Sequence, residues 1–534
     1  MAEYEEEEYY EDEEEGSSLP AWLTETPYWA ISAVAHLILV LLIGSFVLIE
    51  QVDKPVLKKS VVKRAKKKPE YDPTKKRDMV KRPEILEKRK EKPIVKLKPD
   101  EVTPDIPKGV DENKLTNKNL LQDSVNDAFG VGGGAAGAYG NRFGKGSLTR
   151  EGGSEGTEEA VLAALHWLRR HQHPDGYWSA DDFFNQCKDP NSPCKAHVPS
   201  YTDGRGFEGY NVGVTALAML AYLGYGHTHV NGEWEEFREV MRKAMNWMLK
   251  QQIKSDDPKT NGVFGKTEAE EWVYNHSIAT MAMAELLFIS RDRFGKLPKS
   301  VEEATKYILR AQNDGYGWKY EFHDGKNDTS VTGWMVLALK AAKTCSQSRF
   351  IKVKKEAYSD AFTGAIAWFE RTTSELSGIT GYQSPGDPGS SLRAAYPDPY
   401  PFSKDLSCMT AVSVLCRLFA GQKRRDEAIK SGVKVLMKET PQWREAKGKR
   451  QSKINIYYWY YGSYAMFQFG GSQWKEWNDA MQEALLPTQR VGGCEDGSWD
   501  PIGEWGAAGG RVYATAIGAM TLEVYYRFVR QKEG

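Results

Sequence analysis

Cysteine is scarce in this chain, six residues in 534. That is too few for a disulfide framework in a domain of this size. Cys345, Cys408 and Cys416 fall in apolar runs and read as ordinary core residues. Cys187 and Cys194 bracket the polar loop CKDPNSPC, where a pairing stays open. Charge of one sign is missing from the first segment: residues 1–28 hold many Glu and no Lys or Arg. Residues 53–108 are the reverse, with 20 Lys/Arg against 10 Asp/Glu, a net of +10. Such blocks are solvated tails. The basic block has a single aromatic, Tyr71, and no folded module around it, which argues against nucleic-acid binding. The Gly-rich run at 130–137 is not followed by Gly-Lys-Ser/Thr, so it is no phosphate loop. It reads as linker.

One stretch lacks any side chain that must be charged at neutral pH. Trp29–Ile49 (WAISAVAHLILVLLIGSFVLI) is long enough to span a bilayer. Trp22, Tyr28 and Trp29 suit an interfacial belt. The acidic start does not fit a cleaved signal peptide, so the span reads as a retained single-pass anchor in a cytoplasmic membrane. Lys54, Lys58, Lys59, Lys63 and Arg64 all follow it, and the positive-inside rule then puts the following chain in the cytoplasm. Within the span, Ser32 and His36 share one helical face, and an ionisable residue at such depth calls for a partner. Ser-x-x-x-His in a lone N-terminal span, followed by a Lys/Pro-rich segment, resembles the TonB-type energy transducers. That resemblance covers residues 29–108. It implies a periplasmic domain and an ExbB/ExbD-like membrane partner touching Ser32 and His36. The organisation expected is an acidic tail at 1–28, a membrane helix at 29–50, a basic linker at 51–108, a Gly-rich linker at 109–156 and a large folded domain at 157–530.

The folded part repeats itself. Ala163–Trp178 reads AALHWLRRHQHPDGYW, and Glu303–Trp318 reads EATKYILRAQNDGYGW. A looser copy joins Gln251-Gln252 to NGVFG at Asn261–Gly265, and the last places Gln489 ahead of Asp496, Gly497 and Trp499. Recurrence of this kind signals repeat architecture. Two kinds of helical segment alternate. Those at 157–171, 234–252, 299–312, 357–372, 424–438 and 473–486 are amphipathic. Those at 211–225, 275–290, 328–344, 407–420, 455–469 and 511–528 are apolar nearly all round, hence buried on every face. Six of each predict an all-α α6/α6 toroid, an inner barrel inside an outer ring.

The ending Gln-x-x-Asp-Gly-x-Trp resembles the QW motif of squalene-hopene and oxidosqualene cyclases. The Gly-rich turns resemble those of protein prenyltransferase β-subunits. The whole chain is similar to membrane-anchored bacterial proteins carrying prenyltransferase and squalene-oxidase repeats. The resemblance spans about 157–530 and implies the terpenoid-cyclase toroid. The motif itself is architectural: Gln to cap, Gly to turn, Trp to pack. The chemistry of those families does not follow, because Asp-x-Asp-Asp, Asp-Asp-x-x-Asp, Asp-Cys-Thr and the thioester string Cys-Gly-Glu-Gln are all missing. Cys494 and Asp496 precede the last inner helix, as zinc ligands do in prenyltransferases. The order differs and no His follows in 511–528, so neither a metal nor another cofactor is expected.

A site is therefore sought by register. Thr215, Thr332, Thr410 and Thr515 each precede a similar apolar run, and Thr280 fits less well. One helical turn earlier lie Asn211, His276, Asp328, Leu406 and Arg511. In parallel inner helices these would ring one mouth of the barrel, where helix N-termini give a positive field. Asp328 also suits an N-cap, His276 a core histidine, and Arg511 a partner for Asp328 or Asp496. Tyr458, within the aromatic run at 454–469, is a candidate wall residue. The expectation is a toroid binding an isoprenoid, another lipid or a peptide. A terpenoid cyclase with a diverged acid, Asp328 or Asp496, is the alternative. A deep apolar cavity closed by an acid would mark an enzyme, and a barrel filled with aromatics a scaffold.

Overall fold

The computed structural model describes residues 152–187, 204–232, 234–267, 272–387, 407–447 and 450–527. Trp29–Ile49, with Ser32 and His36, lies outside them, as does Cys194. Among the described residues no helix is long and apolar enough to cross a membrane. No named strand occurs among them either, only isolated bridges such as Gln252 with Phe264.

The outer helices are α1 (Glu155–Arg170), α3 (Glu235–Gln251), α5 (Leu297–Ala311), α7 (Lys355–Thr372), α9 (Glu427–Leu436) and α11 (Gly471–Leu485). The inner ones are α2 (Asn211–Gly224), α4 (Trp272–Ser290), α6 (Thr329–Gln347), α8 (Ser407–Phe419), α10 (Ile456–Phe469) and α12 (Gly506–Leu522). A last turn, α13 (Val524–Arg527), follows α12. Each inner helix packs on the next, and α12 packs back on α2, so the barrel closes. This is the α/α toroid that the alternation of helix types predicts.

The two rings follow from residue type. Thirteen of the fourteen residues of α2 are buried, so it has no solvent face. In α3 the buried residues are Phe237, Val240, Met241, Ala244 and Met248, a single stripe at helical spacing. Helix starts are fixed by caps. In α1 the Ser154 hydroxyl accepts the Thr157 N–H at 3.2 Å, and the Thr157 hydroxyl accepts the Ser154 N–H at 3.0 Å. Asp328 caps α6 by accepting the Val331 N–H at 2.7 Å, and Asn455 caps α10 by accepting the Tyr458 N–H at 2.9 Å. One helix is broken: Gly510, at φ 66°, kinks α12, and a Cβ there would meet the Ala180 carbonyl at 2.6 Å.

Candidate functional site

The repeated Gln makes the joints of the outer ring. Gln172 Nε2 donates to Gly176 O in its own turn at 2.8 Å and to Val240 O of α3 at 3.0 Å. Gln252 does the same to Gly262 O (3.1 Å) and Ser300 O of α5 (2.9 Å). Gln312 reaches Tyr316 O (2.7 Å) and Ala361 O of α7 (2.9 Å). Gln489 reaches Gly497 O (2.9 Å) and Ala160 O of α1 (2.7 Å), closing the ring across 329 positions of sequence. Each amide thus ties its own turn to the next outer helix. The motif Gly lets that helix approach: a Cβ on Gly176, Gly262 or Gly497 would strike the backbone at Lys243, Glu303 or Ala163. In the third joint the corresponding residue is Tyr316, and the glycine is supplied by the opposing helix as Gly364.

The motif Trp anchors the turn to both of its helices. Trp178, Trp318 and Trp499 donate Nε1–H to Leu168, Ile308 and Leu485 carbonyls of their own outer helices at 2.7, 2.8 and 2.9 Å. Their backbone N–H groups go to Thr215, Thr332 and Thr515 hydroxyls of the following inner helices at 2.9, 3.1 and 3.3 Å. Thr410 accepts the Thr380 N–H in the same way at 3.0 Å. In the second repeat the acceptor is His276, whose Nδ1 takes the Phe264 N–H at 3.2 Å. His276 therefore occupies the threonine position of α4. Thr280 merely back-bonds to the His276 carbonyl at 2.8 Å.

The barrel holds a cavity of about 70 Å³ at the end where the inner helices begin. Its walls come from the first turns of α2 (Val214, Leu217), α4 (Tyr274, Asn275, Ile278), α6 (Ser330, Trp334), α10 (Tyr457) and α12 (Ala508, Tyr513), with Tyr210 and Trp505 at the rim. No Asp, Glu, Lys, Arg or His is among the described residues that line it. Its polar groups are mostly engaged. Tyr274 Oη donates to Ser330 Oγ at 3.3 Å, and Ser330 Oγ shares a hydrogen bond of 3.0 Å with Tyr457 Oη. Asn275 accepts the Gly213 N–H at 2.8 Å and donates to Gly209 O at 2.6 Å.

Below the cavity the barrel is filled. Trp334 stacks on Tyr460 with centroids 5.9 Å apart, and Tyr457 meets Tyr461 edge-on at 5.0 Å. Deeper still, Arg527 of α13 donates to Glu285 Oε2 of α4 at 2.7 Å and to Leu220 O of α2 at 2.7 Å. Glu523 lies 3.4 Å from the same guanidinium. Burial outweighs Arg527 and pushes the Glu285 carboxyl up to about 7.

The residues singled out by register are not brought together around the cavity, and none lines it. Asn211 accepts the Ala180 N–H at 2.7 Å, tying down the loop before α2. His276 faces outward to α5, edge-on to Tyr307 at 4.9 Å, and burial pulls its pKa down to about 3. Asp328 is the cap of α6 and also accepts the Tyr382 hydroxyl at 3.1 Å. Burial pushes its pKa up to about 7 despite both hydrogen bonds. Arg511 pairs with neither Asp328 nor Asp496: it donates to Asp500 at 2.7 Å and to Ser498 Oγ at 2.9 Å. Arg490 completes that pair from the other side of Asp500. Cys494 is buried in the last joint. Asp496 there accepts the Gly492 N–H at 3.0 Å, while its carbonyl accepts from Arg170 at 2.7 Å. No group of His, Cys, Asp and Glu among the described residues is arranged to hold a metal ion. Tyr458 points to the outer ring, donating to Glu439 O at 2.9 Å; its neighbour Tyr457 is the wall residue. Leu406 lies outside the described residues.

No family model and no curated protein matches the sequence. Solved structures resemble the fold at a distance. The type II terpene cyclase MstE from Scytonema aligns at 13% identity and TM-score 0.38, over 70% of this chain and 97% of its own. An inactive variant of the α-1,6-mannanase GH76A of Salegentibacter sp. HEL1_6 aligns at 10% identity and TM-score 0.43, over 69% and 99%. A possible GH105 member from Salmonella enterica gives 9%, 0.41, 70% and 93%. At these values the likeness carries no chemistry to this chain.

Proposed function

We propose that the toroid is a binding module for a hydrophobic ligand, isoprenoid or lipid in character, carried on an N-terminal membrane anchor at Trp29–Ile49. The observation that supports binding is the cavity: open at one end, walled by aromatic and aliphatic side chains, and free of Asp, Glu, Lys, Arg and His among its described lining. Its size sets a limit. At about 70 Å³, against the roughly 10–15 Å³ that one water-sized group needs on the same measure, it accommodates about five such groups. A triterpene chain exceeds that, which disfavours a squalene-type substrate. A cyclase would also need a proton donor against the substrate. Asp328, two residues before the lining Ser330, is spent on capping α6 and on Tyr382.

Mass spectrometry of an organic extract of the purified full-length chain tests this reading. The expected result is a small neutral lipid, chemically unchanged, absent from a Leu217→Trp variant whose indole fills the cavity. Turnover of a polyprenyl substrate, lost in Asp328→Asn, would overturn it in favour of an enzyme.

A further inference from the structure

The loops that follow α4, α6 and α8 lie where the inner helices finish, at the end of the barrel away from the cavity. They are basic. Residues 291–296 (RDRFGK), 348–354 (SRFIKVK) and 420–426 (AGQKRRD) hold nine Lys/Arg against two Asp. They are neighbours, because α6 packs on both α4 and α8. Arg293 lies over the Phe350 ring, 4.7 Å from its centroid, and joins the first loop to the second. At the cavity end the balance is reversed: the described connections from outer to inner helices hold 12 Lys/Arg against 18 Asp/Glu. From the first basic loop Phe294 projects, 98% exposed. Val230 is half exposed in the loop before it, which His229 ties to Asp292 at 3.3 Å. Leu376 is as exposed at the cavity end, but its loop holds Glu375 and Asp387 and no Lys or Arg.

Four of the basic residues stand where the local structure disfavours them. Lys296 and Lys354 are the N-cap residues of α5 and α7, and neither side chain makes a capping bond. A cation there meets the positive end of the helix dipole. Arg291 and Arg349 take left-handed backbone, at φ 55° and 58°. After α2 and α8 that conformation falls to Gly226 and Gly421. A capping oxygen or a glycine would serve these helices better, so the charges answer to something outside the fold.

We infer that this end of the toroid docks on an anionic bilayer surface, its Lys and Arg against lipid phosphates and Phe294 sunk to headgroup depth. A nucleic acid would meet the same charges, but an aliphatic side chain such as Val230 gains little from stacking on a base, whereas a bilayer interface buries both apolar side chains. Docked this way, the toroid turns its cavity mouth away from the bilayer. The inference goes beyond the ligand reading and stands without it.

The test mixes the full-length chain with vesicles of phosphatidylcholine alone, or of phosphatidylcholine and phosphatidylglycerol in equal parts, and follows amide hydrogen exchange. Exchange in the three basic loops should be slower on the mixed vesicles, with the cavity-end turn 312–327 unchanged and the difference erased by high salt. Each basic residue removed should weaken docking about fivefold. Arg349→Gly combined with Lys354→Ser should therefore abolish most of the slowing, while the unfolding transition stays in place or rises. Equal exchange on the two kinds of vesicle overturns the inference, as does slowing that survives the double variant. A lowered unfolding transition in that variant would assign the charges to the fold instead. Protection of the loops by duplex DNA and not by the mixed vesicles would make this a nucleic-acid surface. A chain that floats with the mixed vesicles and not with the neutral ones upholds the docking surface and overturns the membrane anchor.

Discussion

Substituting Gln489 tests the closure of the ring. The side chain is buried and its amide makes two bonds, to Ala160 O at 2.7 Å and Gly497 O at 2.9 Å. Ala160 O belongs to the body of α1 and keeps its helical bond when the amide is removed. Loss of two neutral hydrogen bonds then costs about 2 kcal/mol, and the vacated space adds up to ~1 kcal/mol more. Gln489→Ala should therefore lower the unfolding free energy by about 2–3 kcal/mol. Gln489→Glu should be worse, because a carboxylate would face the same two carbonyl oxygens with no proton to donate. Urea unfolding gives both numbers. Hydrogen exchange should place the loosening in α1 and α11, the helices on either side of this joint. The equivalent change at Gln252 should cost a similar amount but loosen α3 and α5. The reasoning fails if Gln489→Ala lies within ~0.5 kcal/mol of the native chain, or if Gln489→Glu is no worse than the alanine variant.

Three further outcomes follow from buried groups. His276 has its pKa depressed to about 3 by burial, so the unfolded chain takes up a proton first as pH falls. Its contribution to stability is present above pH 6.5 and declines below it, by at most ~1.4 kcal/mol per pH unit; His276→Gln should flatten that slope in acid unfolding curves. Asp328 behaves oppositely: raised to about 7, it favours the folded state at low pH and loses that advantage as pH rises from about 4 through 7. Asp328→Asn, which keeps a capping oxygen, should reduce the loss without unfolding the protein, as thermal melts at pH 5 and pH 8 will report. Arg527→Met leaves Glu285 and Glu523 buried without their cation and should cost about 3–5 kcal/mol; adding Glu285→Gln should restore part of it in a double-mutant cycle.

The toroid was legible in the sequence because its two helix types differ in composition, not merely in pattern. Helices buried on every face are apolar on every face, and that shows at any register. The candidate site was less legible for the same reason. In the run IYYWYYGSY every face is aromatic, so nothing in the string separates Tyr457, which lines the cavity, from Tyr458, which turns to the outer ring. Aligning inner helices on threonine misplaced α4 by one turn, since His276 does there what threonine does in four other helices. The signal was available as chemistry: an acceptor is needed at that position, and an imidazole nitrogen is one. The partner of Arg511 was also within reach, because Asp500 lies in the adjacent joint.

The ring has one joint where the first repeat meets the last. Gly152 O, just ahead of α1, accepts from Asn478 and Gln482 of α11 at 2.9 Å each, and Gln489 stitches the same pair of repeats. Every other pair of neighbouring repeats is also linked through the backbone. Tension applied to the segment before residue 152 thus has a defined first point of failure. It loads two side-chain hydrogen bonds at Gly152 first, and behind them the Gln489 amide and the Arg170–Asp496 contact hold the same two repeats together. Loaded from that side, the toroid is in this sense a clasp whose catch lies beside the cord.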